Sequence, residues 1–319
     1  MTVLSLPVNI LSFLGRHGTI AIALSLLVGM ALPFLAASVR PFLDEAVLTL
    51  LTMSFMRIGF RAIGSELMQP VMILVAVVVA MLVLPAGVLW IGHAIGLNAS
   101  HPDLYIALFI ALAVPPVAAV PIFAGLLRLP GAPALAFLIV CIVATPFAAS
   151  LHARLFFSAE ALPFDGATIG LRLAGFLIGA ATLAAIFRRM IGTERLEAWR
   201  SPIDGINVLA MFVFAIAVMD GVGPAIANQP WFVATLLGAT FTLALFQMAV
   251  MRLALSFFDH EKATSIALAT GLRNMGLMVA ALGLSIPETT WLWFAVGQFP
   301  IFFMPWIIEI VRKQRAQSS

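Results

Sequence analysis

The stretch Ala263 to Leu284, ATSIALATGLRNMGLMVAALGL, is apolar throughout except around one cation, Arg273. A guanidinium near the centre of a bilayer costs roughly 2.5 to 3.5 kcal/mol on insertion scales, so it faces a cavity or a partner and not lipid. Gly271 and Gly276 flank it and lower helix stability at the same place. An interrupted membrane helix with polar groups at mid-depth is one way a substrate site is built in secondary transporters. The stretch therefore predicts a broken helix with a functional residue at the break.

Composition points the same way. Of 319 residues, 63% are hydrophobic and 10% charged, too few charges to cover an ordinary water-facing surface. The chain is expected to be one integral membrane domain over 1–319, with apolar runs of about 20 residues leaving no space for a soluble domain. The single cysteine, Cys141, lies inside an apolar run, which excludes a disulfide framework and a cysteine metal set. The net charge of +3 comes from loop arginines, which report on topology and not on a nucleic-acid partner.

Ten helical spans are expected: Thr19 to Ala37, Leu43 to Ala62, Pro70 to Leu97, Leu104 to Leu127, Ala132 to His152, Thr168 to Arg188, Ile203 to Val222, Trp231 to Phe257, Ala263 to Leu284 and Thr289 to Val311. With the N-terminus inside, all but four of the 17 lysines and arginines fall on the cytoplasmic side. The exceptions are Arg40, Arg154 and Arg172 outside and Arg273 within the membrane. This asymmetry places both termini in the cytoplasm and favours an even number of spans. The expected location is a cell membrane, crossed many times, of the bacterial inner-membrane kind, with the first helix retained.

The polar stretch from Ser158 to Gly166 divides the ten spans into two halves of five, at about 17–157 and 166–312. Five is odd, so the halves would run in opposite senses, the inverted-repeat arrangement of several transporter folds. The fourth helix of each half should then be interrupted. Span nine has Arg273 between its two glycines, and span four has Pro115, Pro116 and Pro121. Proline removes a backbone hydrogen bond and frees carbonyls that need another partner. Two breaks at matching positions predict one central site.

The 14 acidic residues all fall in loops or near helix ends, so Arg273 has no evident internal counter-ion. An organic anion would complete the pair, since the guanidinium fork suits a carboxylate or sulfate. The alternative is a brace, in which Arg273 donates to carbonyls freed near Pro116 and Pro121. Thr270 and Asn274 share a face if the helix is continuous, and Gln247 and Gln298 are neutral polar groups at membrane depth; all four are candidates for lining the site. The histidines sit near interfaces without metal spacing. No phosphate-binding loop or activated nucleophile is visible, so an enzyme is not expected and no cofactor is implied.

The run Ala267 to Gly283, ALATGLRNMGLMVAALG, with Phe294 to Gln298 in span ten, resembles the bile acid:sodium symporter superfamily. The resemblance implies a panel of helices one, two, six and seven moving against a core of helices three to five and eight to ten, with helices four and nine crossing in the core. It implies an organic anion as substrate, usually with sodium. At the positions where sodium-coupled members carry an acidic residue and a glutamine, this chain has Ala269 and Arg273. Around Pro115 to Pro121 it offers almost no side-chain oxygen, whereas hard cations need several oxygen ligands. The expected function is a secondary transporter of an organic anion by alternating access, without the usual sodium sites. The alternative is a membrane sensor or binding protein on the same fold that does not transport. The oligomeric state stays open.

Overall fold

Proline and glycine punctuate a chain that is otherwise helical. The computed structural model describes residues 18–57, 70–158, 162, 166–192, 196, 200–282, 286–304, 307–308 and 310. The helices are α1 Gly18–Ala31, α2 Pro33–Val39, α3 Leu43–Arg57, α4 Pro70–Val78, α5 Leu84–Ala94, α6 Leu97–Ser100, α7 Pro102–Leu112, α8 Val120–Leu126, α9 Gly131–Phe156, α10 Gly166–Ile191, α11 Arg200–Val218, α12 Val222–Asn228, α13 Pro230–Ala254, α14 His260–Gly271, α15 Met275–Leu282 and α16 Glu288–Val296. A 3-10 turn, Arg40–Phe42, joins α2 to α3, and a wide π turn, Val79–Val83, joins α4 to α5. Helical residues continue over 298–304 after a turn at Gly297.

Five helical stretches are long and apolar enough to cross a membrane: Pro70–Ala94, Gly131–Phe156, Gly166–Ile191, Gly205–Asn228, which includes the turn between α11 and α12, and Pro230–Ala254. A sixth is formed if Ser25–Ala31 and Pro33–Met56, bent by 110°, count as one. Large apolar side chains on these helices face outward, among them Phe147 at 75% and Leu171 at 74% exposed. A water-soluble monomer rarely leaves contiguous apolar area of this kind uncovered. The architecture is compatible with a multi-pass membrane protein.

Expected spans three, five, six, seven and eight coincide with these five stretches. The stretches expected as spans four and nine are interrupted, as α7–α8 and α14–α15. The first two spans differ from expectation. The break lies inside the first, at Leu32, and the expected loop between them is helical from Pro33 through the 3-10 turn to Arg57. Pro33 has no N–H and its ring excludes helical geometry from Leu32, whose φ and ψ are −122° and 73°. Pro41, in contrast, sits at the first turn of the 3-10 segment, where a missing donor costs nothing. The end of the expected second span, beyond Arg57, lies outside the described residues.

The chain divides into two compact units, Met1–Ile58 with Gly175–Trp231, and Gly59–Ala174 with Phe232–Ser319. In the first, α11 packs on α1, α2 and α3. Arg40 Nη1 donates to Asp220 Oδ2 at 2.7 Å, fixing the 3-10 turn to the turn that follows α11. This pair is partly exposed and contributes on the order of 1 kcal/mol or less.

In the second unit α9 packs against α4, the π turn, α5, α8 and α14, while α7 packs against α5, α15 and α16. Side chains tie helix ends to one another: Ser265 Oγ donates to the Pro130 carbonyl at 2.7 Å, Thr290 Oγ1 to the Asp103 carbonyl at 2.8 Å, and Tyr105 Oη to the Leu89 carbonyl at 3.0 Å. His152, near the end of α9, is buried between the Ala148 carbonyl at 2.6 Å and the Leu82 carbonyl of the π turn at 3.4 Å.

Candidate functional site

Both broken helices belong to the second unit, and their breaks meet. Residues 113–119 separate α7 from α8, and 272–274 separate α14 from α15. Pro116 and Arg273 form an isolated antiparallel bridge. Its hydrogen bonds run from Val117 N to the Leu272 carbonyl and from Asn274 N to the Pro115 carbonyl, each 2.8 Å. Breaking a helix in an apolar interior strands several amides and carbonyls. Here the two breaks satisfy each other, which explains how both persist in one chain.

Sequence controls each break. Pro115 and Pro116 remove two consecutive donors and push the preceding residues out of helical geometry. Pro121, expected as part of the break, stands just inside α8, in the first turn where proline is tolerated. Gly271 is the last residue of α14, and Gly276 the second of α15. The glycines therefore flank the break and do not form it. Gly271 also permits close packing: a Cβ there would fall on Met248 Cγ and 2.8 Å from the Ala244 carbonyl oxygen of α13.

The Arg273 side chain is 4% exposed and is held from four directions. Nε donates to Gln247 Oε1 at 2.9 Å, Nη1 to the Val114 carbonyl at 2.8 Å and Met81 Sδ at 3.5 Å, and Nη2 to the Ala80 carbonyl at 2.8 Å. Guanidinium has five N–H donors, so one Nη2 hydrogen is left over. Every one of these partners is neutral. The positive charge is thus solvated by protein dipoles without a carboxylate counter-ion among them. A burial of this kind is costly unless each hydrogen is used, as nearly all are here.

Two of these partners escaped the sequence reading. Ala80 and Met81 lie in the π turn, where a carbonyl bonds to the amide five residues on instead of four. The residue five beyond Ala80 is Pro85, which has no N–H. The Ala80 carbonyl is consequently free to accept from Arg273. Pro85, inside an otherwise apolar helical run, was the signal in the sequence. That the Ala80 carbonyl meets Arg273, 193 positions away, was not legible there.

A cavity of about 30 Å³ adjoins Arg273, lined also by Gln247, Thr240, Ala244, Met275 and Trp293. That is room for one or two water molecules. Gln247 gives its oxygen to Arg273, and among the described residues no acceptor takes its Nε2, which remains a donor for whatever fills the cavity. The remaining candidates fall elsewhere. Thr270 is buried and bonds the Ile266 carbonyl of its own helix at 2.9 Å. It does not share a helical face with Asn274, because the break runs between them; Asn274 is half-buried and contributes its backbone amide to the bridge. Gln298 is buried and donates to the Phe294 carbonyl at 3.1 Å. Thr240, in α13, lines the cavity although nothing in its local sequence distinguished it.

Among the described residues no three His, Cys, Asp or Glu side chains gather as metal ligands would. The oxygens that converge on a charge are the carbonyls around Arg273, and that charge is already present. No protein-family model matches the chain, and no curated protein matches it.

Proposed function

We propose that the chain is a secondary transporter that moves a small or amphipathic organic anion by alternating access, on a fold of two inverted five-helix repeats like that of the bile acid:sodium symporters. The observation that carries the reading is the paired breaks with a buried guanidinium whose partners are all neutral. An anion entering beside it would meet an uncompensated positive charge, one spare Nη2 hydrogen and the Gln247 amide. In this reading the cavity of about 30 Å³ is the closed remnant of the site, which must widen before an organic anion fits. On the same reading the two compact units would be the moving bodies, the first containing most of the expected panel and the second the expected core. Such motion would change access to the breaks without unmaking them.

The second reading is a membrane sensor or binding protein. It is favoured by the close engagement of Arg273, which leaves little of the guanidinium for a ligand. Proteoliposomes loaded with radiolabelled anions separate the two. Saturable flux of a carboxylate or sulfate ester, competed by unlabelled anion, supports transport. Saturable binding to the purified protein with no flux favours the sensor, and neither binding nor flux across a broad anion set rejects both.

A further inference from the structure

The groups around Arg273 are what an unattached cation would need. Two backbone carbonyls, one amide oxygen and one thioether converge from the π turn, the first break and α13, and none of them carries charge. Three are oxygens at 2.8 to 2.9 Å from a guanidinium nitrogen. The carbonyls are not spare products of regular helix. One is released by Pro85 in the π turn, and the other, Val114, lies in the break ahead of Pro115 and Pro116. Two separate departures from helical geometry and one side chain of α13 thus aim acceptors at one point, and the positive charge supplied to it arrives through the backbone of the second break.

We propose that these acceptors form a monovalent-cation site whose resident ion is the guanidinium of the chain itself, and that removing the side chain opens the site to a free cation of similar shape. The physical argument is the cost of leaving such a cage empty. Converging oxygens repel one another, and with neither water nor a cation between them they remain unsatisfied in an apolar interior. A cation tethered by its side chain is always at hand and never dissociates. The charge therefore stays in place whatever conformation the protein adopts, and no exchange of that ion with either side can be used as a driving force. This assignment concerns the cage and does not depend on which anion is moved, or on whether any is.

The test is chemical rescue of the full-length Arg273→Ala protein, read as thermal unfolding in detergent. Guanidinium chloride and methylguanidinium chloride, at concentrations well below those that denature, are compared with urea as the neutral isostere and with choline chloride at equal ionic strength. The expected result is a rise in unfolding temperature with either guanidinium ion, growing with the logarithm of concentration above its dissociation constant. Urea and choline should give none, and the wild type should show only the small decrease expected of a denaturant. Equal behaviour of variant and wild type, or rescue by urea as strong as by guanidinium, overturns the proposal. Should Arg273→Ala fail to accumulate, Arg273→Lys is compared with Arg273→Met. A cation site keeps the lysine protein markedly more stable than the methionine one, whereas equal or lower stability of the lysine protein counts against it. None of these readouts involves transport, so their failure is distinct from failure of the transporter reading.

Discussion

Pro116 and Arg273 face each other across the two helix breaks as a non-hydrogen-bonded pair: both bonds of the bridge are made by their neighbours, Val117 with Leu272 and Asn274 with Pro115. In an antiparallel pairing this is the position where a residue needs no N–H of its own. Proline can therefore break the first helix and still join the bridge. The same arrangement leaves the Arg273 side chain free to extend toward the π turn and α13 while its backbone stays in the break.

The bridge assigns unequal roles to adjacent residues. Pro116→Ala should change stability by less than about 1 kcal/mol, since no bridge bond is lost. Val117→Pro removes the donor to the Leu272 carbonyl and should cost about 1 to 3 kcal/mol. Chemical or thermal unfolding of both variants in one detergent tests the order, and equal effects would show that the paired bonds are not what holds the breaks together.

Gln247 isolates charge from hydrogen bonding. Gln247→Leu leaves Arg273 Nε without its acceptor and should lose about 1 to 3 kcal/mol of stability. Gln247→Glu keeps an acceptor at the same reach and adds the missing negative charge. It should fold at least as well as the leucine variant and yet reduce anion flux or binding roughly tenfold or more, a change of about 1.4 kcal/mol. Unaltered anion affinity in a folded Gln247→Glu protein would be incompatible with an anion site beside Arg273.

Coupling follows from the same charge. A fixed guanidinium among the freed carbonyls repels a second cation, so replacing sodium by potassium at constant ionic strength should leave uptake nearly unchanged. A steep, saturable sodium requirement in proteoliposomes would show that a separate ion site exists.

Gly271 is a close-approach position. Its substitution by alanine would drive a Cβ against Met248 and the Ala244 backbone, and should cost about 1 to 3 kcal/mol. Gly297→Ala meets the mobile end of Met275 and should cost less. Unfolding temperatures of the two proteins, compared side by side, check the ranking.

Arg128 ends α8 in the left-handed region, at φ 55°. Its N–H bonds the Gly125 carbonyl at 3.0 Å and the next amide, Leu129, bonds that of Ala124 at 2.8 Å, the helix stop normally given to glycine. Arg128→Gly should accordingly raise stability by about 1 kcal/mol, measured as a higher unfolding temperature. A decrease would mean that the Arg128 side chain makes a compensating contact.

The two breaks were legible in the sequence because their causes are local. Paired prolines cannot continue a helix, and a mid-span arginine between two glycines marks the other interruption whatever surrounds it. The apolar stretches and their lengths were legible for the same reason, being set by composition over one helix. What the sequence read wrongly was also local in origin: the bend at Leu32 was hidden because hydropathy runs through Pro33 without a change.

The partners of Arg273 were a different matter. The sequence established that a buried guanidinium must find compensation, since the energetic requirement belongs to the residue itself. Only the tertiary structure decided that the compensation comes from Gln247, Val114, Ala80 and Met81, because backbone carbonyls carry no side-chain signature and acquire an acceptor role only where the fold leaves them unpaired. Thr270 and Gln298 turned back to their own helices for the complementary reason: a nearby carbonyl one turn away satisfies them without any distant partner, and that choice is made by packing and not by residue type.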